Sequence, residues 1–432
     1  MSDAGLILLV FTVFTVLLLA RVPVAFALGL AAFAFFAGAG LPLLSVAQKI
    51  CAQIADPTLL AIPFFILCGE IMATGGMARR LIDLANLVVG TIRGGLAMVN
   101  VVASMFFGGI SGSSVADTSS IGPILIPMMV GKGYDRDFSV AVTVSSSTQG
   151  IIIPPSHNAI LYSLAAGGTV SIQALFLAGY VPGLLIAMVL MTLSGVIATR
   201  RGYPREVRVP WRRAMRIAGG ALPALVTPLL IIVPIAGGWV PAHQAAVIAV
   251  AWSALVSTLV YRSLPLSGYP RVLERAARTS GLVMILIGAA AAFGEALAYL
   301  HVPELLTRAL AALTDSRVVL LLLINVLLLF LGMVMDMAAL IVLVTPILLP
   351  VAESLGLDPV QFGIVLLLNL AIGLCTPPVG TTLFVGCAIG GLPIERAFRG
   401  LVPFYVAMIL VLLLVTFVPA VSLWLPEWVA GS

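Results

Sequence analysis

Polar residues and paired prolines interrupt the apolar stretches of this chain at four places. Two of the interruptions read GGISGSSVAD (108–117) and GMVMD (332–336), and the other two contain the Pro-Pro pairs at 154–155 and 377–378. A proline removes a backbone donor and disfavours helix in the residue before it, so each pair frees carbonyl oxygens inside a helix. Hydroxyl, carboxylate and carbonyl oxygens are the ligands that hard cations prefer. The interruptions are therefore predicted to form ion-binding loops.

Two polar clusters are the candidate ion sites, one on each half of the chain. The hydroxyl of a single serine or threonine often bonds to its own helix, so the prediction rests on the clusters and not on any one member. The first cluster comprises Ser111, Ser113, Ser114, Asp117, Ser145, Ser146 and Ser147. The second comprises Gly332, Asp336, Asn369, Thr376, Thr381 and Thr382.

The residues around the Pro-Pro pairs are candidates for contact with a substrate anion. His157 and Asn158 could donate hydrogen bonds to a carboxylate, and Thr381 could share that role from the second half. The same side chains could instead cap the half-helix that follows each pair, and the sequence leaves both roles open. The candidate substrate residues are Pro154, Pro155, Ser156, His157, Asn158, Pro377, Pro378, Thr381 and Thr382.

Composition identifies the elements that must position these residues as membrane helices. The 432 residues are 61% hydrophobic and 9% charged, and their mean hydropathy is +1.20. Such values exclude a soluble domain and predict an all-α polytopic protein in a lipid bilayer. The net charge of +5 comes largely from loop arginines that set topology, so no nucleic-acid partner is inferred. The sequence contains no ATP-binding loop, metal-ligand spacing or nucleophile elbow, which predicts ion-driven transport without an organic cofactor or transition metal, and no enzyme.

An internal repeat links the two halves. A shift of 223 positions pairs nine glycines or prolines between 109 and 168 with identical residues between 332 and 391, the Pro-Pro pairs included. Chance matching would give about 0.8 such identities. A Pro-Pro pair could simply kink a helix beside its neighbours, but a break at matched positions with polar flanks favours a binding loop near the bilayer midplane.

The arginines predict that the repeat is inverted. The stretch 199–216 holds seven arginines and is the strongest cytoplasmic marker. Counting spans from it leaves five crossings, about 137–165, 173–198, 219–236, 243–262 and 280–300, between two segments that are each too long for one span. Each segment could be a re-entrant hairpin or a pair of full spans, since both return to the same face, but the polar, glycine-rich tip of the first segment favours re-entrant hairpins. The two segments enter from opposite faces because five is odd. Both termini are predicted to be periplasmic.

These counts predict scaffold segments that alternate with the two repeats. Each repeat is expected to contain one hairpin, at about 94–130 or 317–353, and one broken helix, at about 137–165 or 360–389. The predicted organisation is an N-terminal scaffold (1–56), a first transport repeat (57–168), scaffold helices with the arginine-rich loop (169–279), a second transport repeat (280–391) and a C-terminal scaffold helix (392–432).

The motifs GGISGSSVADTSSIGPILIP, GIIIPPSHNAILYSLAAGG, LGMVMDMAALIVLVTPILLP and LNLAIGLCTPPVGTTLFVG resemble the large membrane subunit of TRAP transporters, the tripartite ATP-independent periplasmic family. The resemblance covers essentially the whole chain. It implies a sodium-coupled symporter of the bacterial inner membrane that imports an organic acid anion by an elevator mechanism. It also implies two partners, a small four-helix membrane subunit and a periplasmic substrate-binding protein. The sequence departs from the family pattern at Ala242 and His243, where a threonine and a glutamate are common.

Several alternatives stay open at this stage. A stand-alone sodium/carboxylate symporter would need no binding protein, whereas a membrane enzyme or a passive channel fits two opposed hairpins poorly. A C4-dicarboxylate, sialic acid or another sugar acid, and a keto acid all remain candidate substrates. Glu70 and Glu295, 225 positions apart, could orient the hairpins or relay protons.

Overall fold

The structure is a computed structural model that describes residues 2–205, 209–313 and 316–430. Within these residues the chain forms helices and connecting loops and contains no strand. Residues 206–208 of the predicted arginine-rich loop, and the terminal residues 1 and 431–432, lie outside the described part. Eight helices of the described residues are long and apolar enough to cross a membrane.

The first half of the chain runs from α1 to α11. A hairpin of α6 and α7 is followed by a helix broken into α8, α9 and α10. The bounds are α1 Asp3–Leu19, α2 Val24–Gly38, α3 Leu44–Ile54, α4 Ala61–Thr74, α5 Met77–Val89, α6 Gly95–Ser111, α7 Ser114–Gly131, α8 Arg136–Ser147, α9 Gln149–Ile152, α10 His157–Ala165 and α11 Ile172–Arg200. A short 3-10 turn at Pro57–Leu60 precedes α4.

The second half repeats this order of elements after two further spans. Its hairpin is formed by α16 and α17, and its broken helix by α18 and α19. The bounds are α12 Trp211–Ala236, α13 Ala242–Leu255, α14 Tyr269–Tyr299, α15 Val302–Leu313, α16 Arg317–Val334, α17 Met337–Ser354, α18 Pro359–Leu374, α19 Thr381–Gly390, α20 Ile394–Phe417 and α21 Ala420–Ala430.

The structure confirms the inverted repeat. Five spans, namely the broken helix α8–α10 and the helices α11, α12, α13 and α14, separate the two hairpins, so the hairpins enter from opposite faces. The first arms of the two hairpins end at positions that are 223 apart, and the second arms begin at positions that are also 223 apart. The second arms start with equivalent caps, because the Ser113 hydroxyl accepts from the Ala116 amide at 3.3 Å and the Asp336 carboxylate from the Ala338 amide at 3.0 Å.

Both Pro-Pro pairs interrupt a helix, as predicted. In the first half α9 ends at Ile152 and α10 begins at His157, and in the second half α18 ends at Leu374 and α19 begins at Thr381. Both Pro-Pro peptide bonds are cis. Each repeat therefore contains a second half-helix that starts after its Pro-Pro loop.

The repeat extends further towards the N-terminus than the glycine and proline matches indicate. The ends of α4 and α14, at Thr74 and Tyr299, lie 225 positions apart, and so do the starts of α5 and α15, at Met77 and Val302. The predicted span at 280–300 begins too late, because α14 is one continuous helix from Tyr269. Its first turns carry arginines but no interior proline, so they stay helical beyond the apolar run. The predicted domain boundary at 279–280 accordingly falls inside a helix.

Candidate ion and substrate site

Both hairpin tips line one cavity of about 740 Å³. Ser113 and Asp336 begin the second arms of the two hairpins, and His157 and Thr381 begin the two inner half-helices; all four side chains line this space. A helix start carries free amide donors and a partial positive charge, which favour an anion. The cavity thus brings together the two interruptions and the two half-helix starts that the sequence predicted as sites.

The first hairpin and the first broken helix are joined by a hydrogen bond and by a close approach of two glycines. The Asn158 side-chain amide donates to the Gly112 carbonyl at 2.7 Å, across the tip of the hairpin. Deeper in the protein, a Cβ atom on Gly150 would lie 2.5 Å from the Gly108 Cα, so only glycine permits this approach. Asn158 is therefore a tie between helices in this structure, which agrees with a structural role but leaves the carboxylate contact a prediction.

The second hairpin and the second broken helix are joined in a related way. The amides of Val379 and Gly380 lie 3.2 and 3.4 Å from the Met333 carbonyl and donate to it. A Cβ atom on Gly373 would lie 2.7 Å from the Gly332 Cα. The predicted residue Gly332 therefore serves close packing of two helices, which the repeat places at nearly the same point in both halves.

A hydrogen bond joins the two repeats at the tip of the first hairpin. The hydroxyls of Ser114 and Thr382 are hydrogen-bonded at 2.6 Å, and both side chains are buried. The sequence assigned Ser114 to the first cluster and Thr382 to the second. The structure joins the first hairpin tip to the second half-helix, so members of the two predicted clusters are in direct contact.

Several buried polar atoms in this region have no hydrogen-bond partner within the described residues. Asp117 is fully buried, and neither of its carboxylate oxygens is hydrogen-bonded. Buried polar groups in native structures are normally partnered, so a concentration of exceptions calls for an explanation such as an ion site. The oxygens fit a hard cation such as sodium. The other unpartnered atoms of the region are Thr118 Oγ1, Gln149 Oε1 and Nε2, Ser156 Oγ, His157 Nδ1 and Asn369 Oδ1.

Two predicted ion-site residues belong to matched polar networks. Ser146 donates to Asn100 Oδ1 at 3.3 Å, and the amide of Asn369 donates to Asn325 Oδ1 at 2.6 Å. Asn100 and Asn325 occupy the first arms of the two hairpins, 225 positions apart. Each network thus ties a hairpin arm to the broken helix behind it.

The remaining predicted hydroxyls bond locally. Ser145, Ser147 and Thr376 donate to carbonyls of their own helices, at 2.8, 2.7 and 2.7 Å. Ser111 lies 3.4 Å from the Gly108 carbonyl at the end of α6. These bonds leave the hydroxyl lone pairs available as ligands but provide no observation in favour of a site.

The Pro-Pro loops differ in their environment. Pro154, Pro155 and Ser156 are buried, whereas Pro377 is half-buried and Pro378 is exposed. The first loop therefore lies within the protein core, and the second lies at its surface.

Two helices outside the predicted ion and substrate clusters form a further wall of the cavity. Glu70 and Thr74 on α4, and Arg275 and Thr279 on α14, line it beside the hairpin tips. Arg275 was not among the predicted site residues, because the predicted span at 280–300 begins after it. Glu295 is partly exposed and pairs with Lys49 at 3.3 Å.

Comparison with known proteins identifies the family. A sequence model described as "Tripartite ATP-independent periplasmic transporter, DctM component" matches residues 11–421 of this chain. The chain belongs to this family. The predicted identity as a large TRAP membrane subunit is thereby confirmed, as is the prediction of a transporter and not an enzyme.

Two relatives show the breadth of the TRAP large permeases that this chain resembles. The "C4-dicarboxylate TRAP transporter large permease protein DctM" of Pseudomonas aeruginosa is 40% identical over 388 residues, with 90% of each chain covered. The "Sialic acid TRAP transporter large permease protein SiaM" of Vibrio cholerae is 37% identical over 418 residues, with 96% of this chain and 97% of that protein covered. Because these relatives are named for chemically different acids, family membership leaves the substrate of this TRAP permease open.

A solved structure supports the fold of this TRAP subunit. The Alcanivorax borkumensis YdaH transporter superposes with a TM-score of 0.64 over 86% of each chain, at 17% sequence identity. That likeness concerns the fold alone. Together with the apolar helices, it confirms the predicted all-α, multi-pass membrane architecture.

Proposed function

We propose that this TRAP permease couples the inward movement of an organic acid anion to sodium and receives the anion from a periplasmic binding protein. The observation that carries the proposal is the single cavity where two hairpin tips and two half-helix starts meet, beside the buried Asp117. The helix starts at His157 and Thr381 supply amide donors for a carboxylate. A dicarboxylate, a sugar acid or a keto acid would satisfy these donors.

Sodium is the coupling ion in this proposal. The unpartnered oxygens of Asp117, Thr118 and Asn369 are buried behind the hairpin tips, where a bound cation would offset the cost of leaving them unpaired. Sodium ions that bind here would fix the hairpins and raise the affinity for the anion. Each net positive charge that moves inward across about 100 mV contributes about 2.3 kcal/mol, which supports roughly 50-fold accumulation.

The orientation follows from the arginines. Placing Arg275 and the arginine-rich end of α11 on the cytoplasmic side of the inner membrane puts the cavity wall that contains Arg275 on that side as well. This places both chain ends on the periplasmic side. The arrangement corresponds to an inward-open state, from which an elevator movement of the two repeats, 57–168 and 280–391, would carry the site outward.

The small four-helix membrane subunit is proposed to cover part of the apolar surface of the scaffold. The helix Trp211–Ala236 is the least buried of the eight candidate spans, with 22% of its apolar window buried. An apolar helix can face lipid or another helix, so this surface accommodates the partner without a charge mismatch.

The proposal is tested by reconstituting the chain with its small partner subunit and measuring uptake of a candidate acid. Uptake is compared with and without the cognate binding protein, under an inward sodium gradient and under a proton gradient alone. We expect uptake only when sodium and the binding protein are both present. Sodium-driven uptake without the binding protein would instead indicate a stand-alone symporter, and uptake driven by protons alone would overturn sodium coupling.

A further inference from the structure

Two acid–base pairs lie at opposite ends of α14. Near its end, Glu295 Oε1 is 3.3 Å from Lys49 Nζ on α3. Near its start, Arg275 faces Glu70 on α4, and the two charges interact across the cavity that both side chains line. Twenty residues separate Arg275 from Glu295, which corresponds to about 30 Å along a helix.

The inverted repeat relates these two pairs. Glu70 and Glu295 lie 225 positions apart, in the same register as the ends of α4 and α14. Lys49 and Arg275 lie 226 positions apart, one position out of that register. Each pair is crossed, because an acid from one repeat faces a cation that belongs to the other half of the chain.

The two pairs occupy equivalent positions in the repeats, but they differ in whether their charges are in direct contact. Lys49 and Glu295 form a direct ion pair, with side chains that are 52% and 37% exposed. Glu70 and Arg275 both line the open cavity, and among the described residues they form no ion pair within 4 Å. A partly exposed ion pair contributes little stability, so it can be broken and remade in a transport cycle.

Two repeats related by an axis in the membrane plane reach the opposite state when each adopts the conformation of the other. Applied to these residues, the exchange separates Lys49 from Glu295 and brings Arg275 to Glu70. We propose that the two pairs act as alternating gates, the pair of Lys49 and Glu295 closed while the cavity opens inward and the pair of Glu70 and Arg275 closed while it opens outward. This inference rests on the proposed transport function.

A cysteine that reports on the open cavity tests the inference. Ser119 is exposed and lines the cavity on α7, and it belongs to neither pair. The reporter is Ser119→Cys in a Cys51→Ser background, which removes the exposed native cysteine and leaves the three buried ones. Inside-out vesicles that contain the chain and its small partner are labelled with a membrane-impermeant maleimide. Labelling is measured at a sodium concentration that gives half the maximal rate, so that increases and decreases are both visible.

If the two pairs act as gates, removing one or the other should have opposite effects on the labelling rate. Lys49→Ala should lower the labelling rate about two- to fivefold, because it removes the pair that favours the inward-open state. Glu70→Gln should raise the rate by a similar factor, because it removes the pair that favours the outward-open state. Exchanging the charges in Lys49→Glu with Glu295→Lys should restore the native rate. The control variants are Glu304→Gln and Arg278→Ala, which change exposed charges on the same faces of the molecule and should have no effect.

The outcomes separate failure of the gates from failure of the proposed function. If sodium changes the labelling rate but Lys49→Ala and Glu70→Gln act in the same direction or not at all, the gates are wrong and the alternating cavity stands. If neither sodium nor substrate nor any variant changes the rate, the alternating cavity itself is wrong, and the gates with it.

Discussion

The two repeats follow the same path but present different surfaces to the cavity. In the first repeat the acid of the hairpin, Asp117, is fully buried and lies one turn beyond the tip. In the second repeat the acid, Asp336, is exposed and caps the start of α17. The Pro-Pro loops differ in the same sense, with Pro155 buried and Pro378 exposed.

This difference distinguishes the residues that determine the path of the backbone from the residues that determine the polar surface of the cavity. The path depends on glycines and prolines, which the repeats share because a break or a close helix approach needs them at fixed positions. The polar side chains need not follow the symmetry of the repeat. Among the described residues, most of the buried polar atoms without hydrogen-bond partners belong to the first repeat. We therefore expect the first repeat to bind a dehydrated ion and the second repeat to contact an anion that arrives from water.

Replacing the aspartates of the two hairpins is expected to give the largest difference in uptake between the two repeats. Asp117→Asn should lower sodium-driven uptake by about 100-fold or more, because it removes the buried, unpartnered carboxylate of the first hairpin. Asp336→Asn should lower uptake by about tenfold or less, since asparagine is also a good N-cap and the site is exposed. Both variants are measured by uptake in proteoliposomes across a range of sodium concentrations.

Asp358→Asn is the matched control for these variants, because Asp358 is an exposed N-cap of α18 that does not line the cavity. It should leave uptake within about twofold of the native rate. Equal losses for Asp117→Asn and Asp336→Asn would show that the two repeats contribute alike, and the difference between them would then carry no functional meaning.

Alanine at the two hairpin glycines that meet a glycine of the broken helix, Gly108 and Gly332, tests whether the first repeat is also the more tightly packed. A Cβ atom on Gly108 would lie 2.4 Å from the Gly150 Cα, whereas one on Gly332 would lie 3.3 Å from its nearest neighbours. Gly108→Ala should therefore reduce the free energy of unfolding by about 3 kcal/mol and Gly332→Ala by about 1 kcal/mol. Thermal unfolding of the purified proteins in detergent provides the ranking.

Gly131 supplies the control, since nothing lies within 4 Å of a Cβ atom built there. Gly131→Ala should leave the unfolding temperature unchanged or slightly raised, because alanine favours helix over glycine. A larger loss for Gly332→Ala than for Gly108→Ala would reverse the packing order that the distances indicate.

The sequence was sufficient to predict the features that depend on local backbone. Both hairpins, both broken helices and the inversion could be predicted because proline and glycine act within a few residues of their own position. The caps at Ser113 and Asp336 were recognised only as polar positions, since their role depends on where each helix begins.

Contacts between distant elements could not be predicted in the same way. The bond from Ser114 to Thr382 spans 268 positions, and no periodicity relates the two residues. The contribution of Arg275 to the cavity was missed because hydropathy ends a span at the first charged turn, whereas the helix continues. Such contacts depend on how the two repeats pack together, which a repeat pattern within one chain does not determine.

The smallest expected effect concerns the first residues of the two broken helices. Asp135 and Asp358 are equivalent, but Asp358 caps its own helix, whereas Asp135 accepts from Tyr203 Oη at 2.6 Å and from Arg201 Nη1 at 2.7 Å. The hydrogen bond from Tyr203, and then the Arg201 guanidinium, lower the pKa of Asp135 below its usual value. Asp135 therefore ties the first broken helix to the end of α11, and its equivalent makes no such tie.

Because the folded-state pKa of Asp135 lies below the unfolded value of about 4, its stabilising effect is present above that pH and is lost as the pH falls through the folded pKa. Tyr203→Phe keeps the ring but removes the hydroxyl, so it should lower the Tm by about 1 °C at pH 7, with a smaller difference below about pH 4. Tyr261→Phe is the control, because its hydroxyl donates to the Gly220 carbonyl and any loss should be the same at both pH values. A difference for Tyr203→Phe that stays constant with pH would mean that the charge of Asp135 does not tie the helix to α11, leaving both aspartates with only local roles.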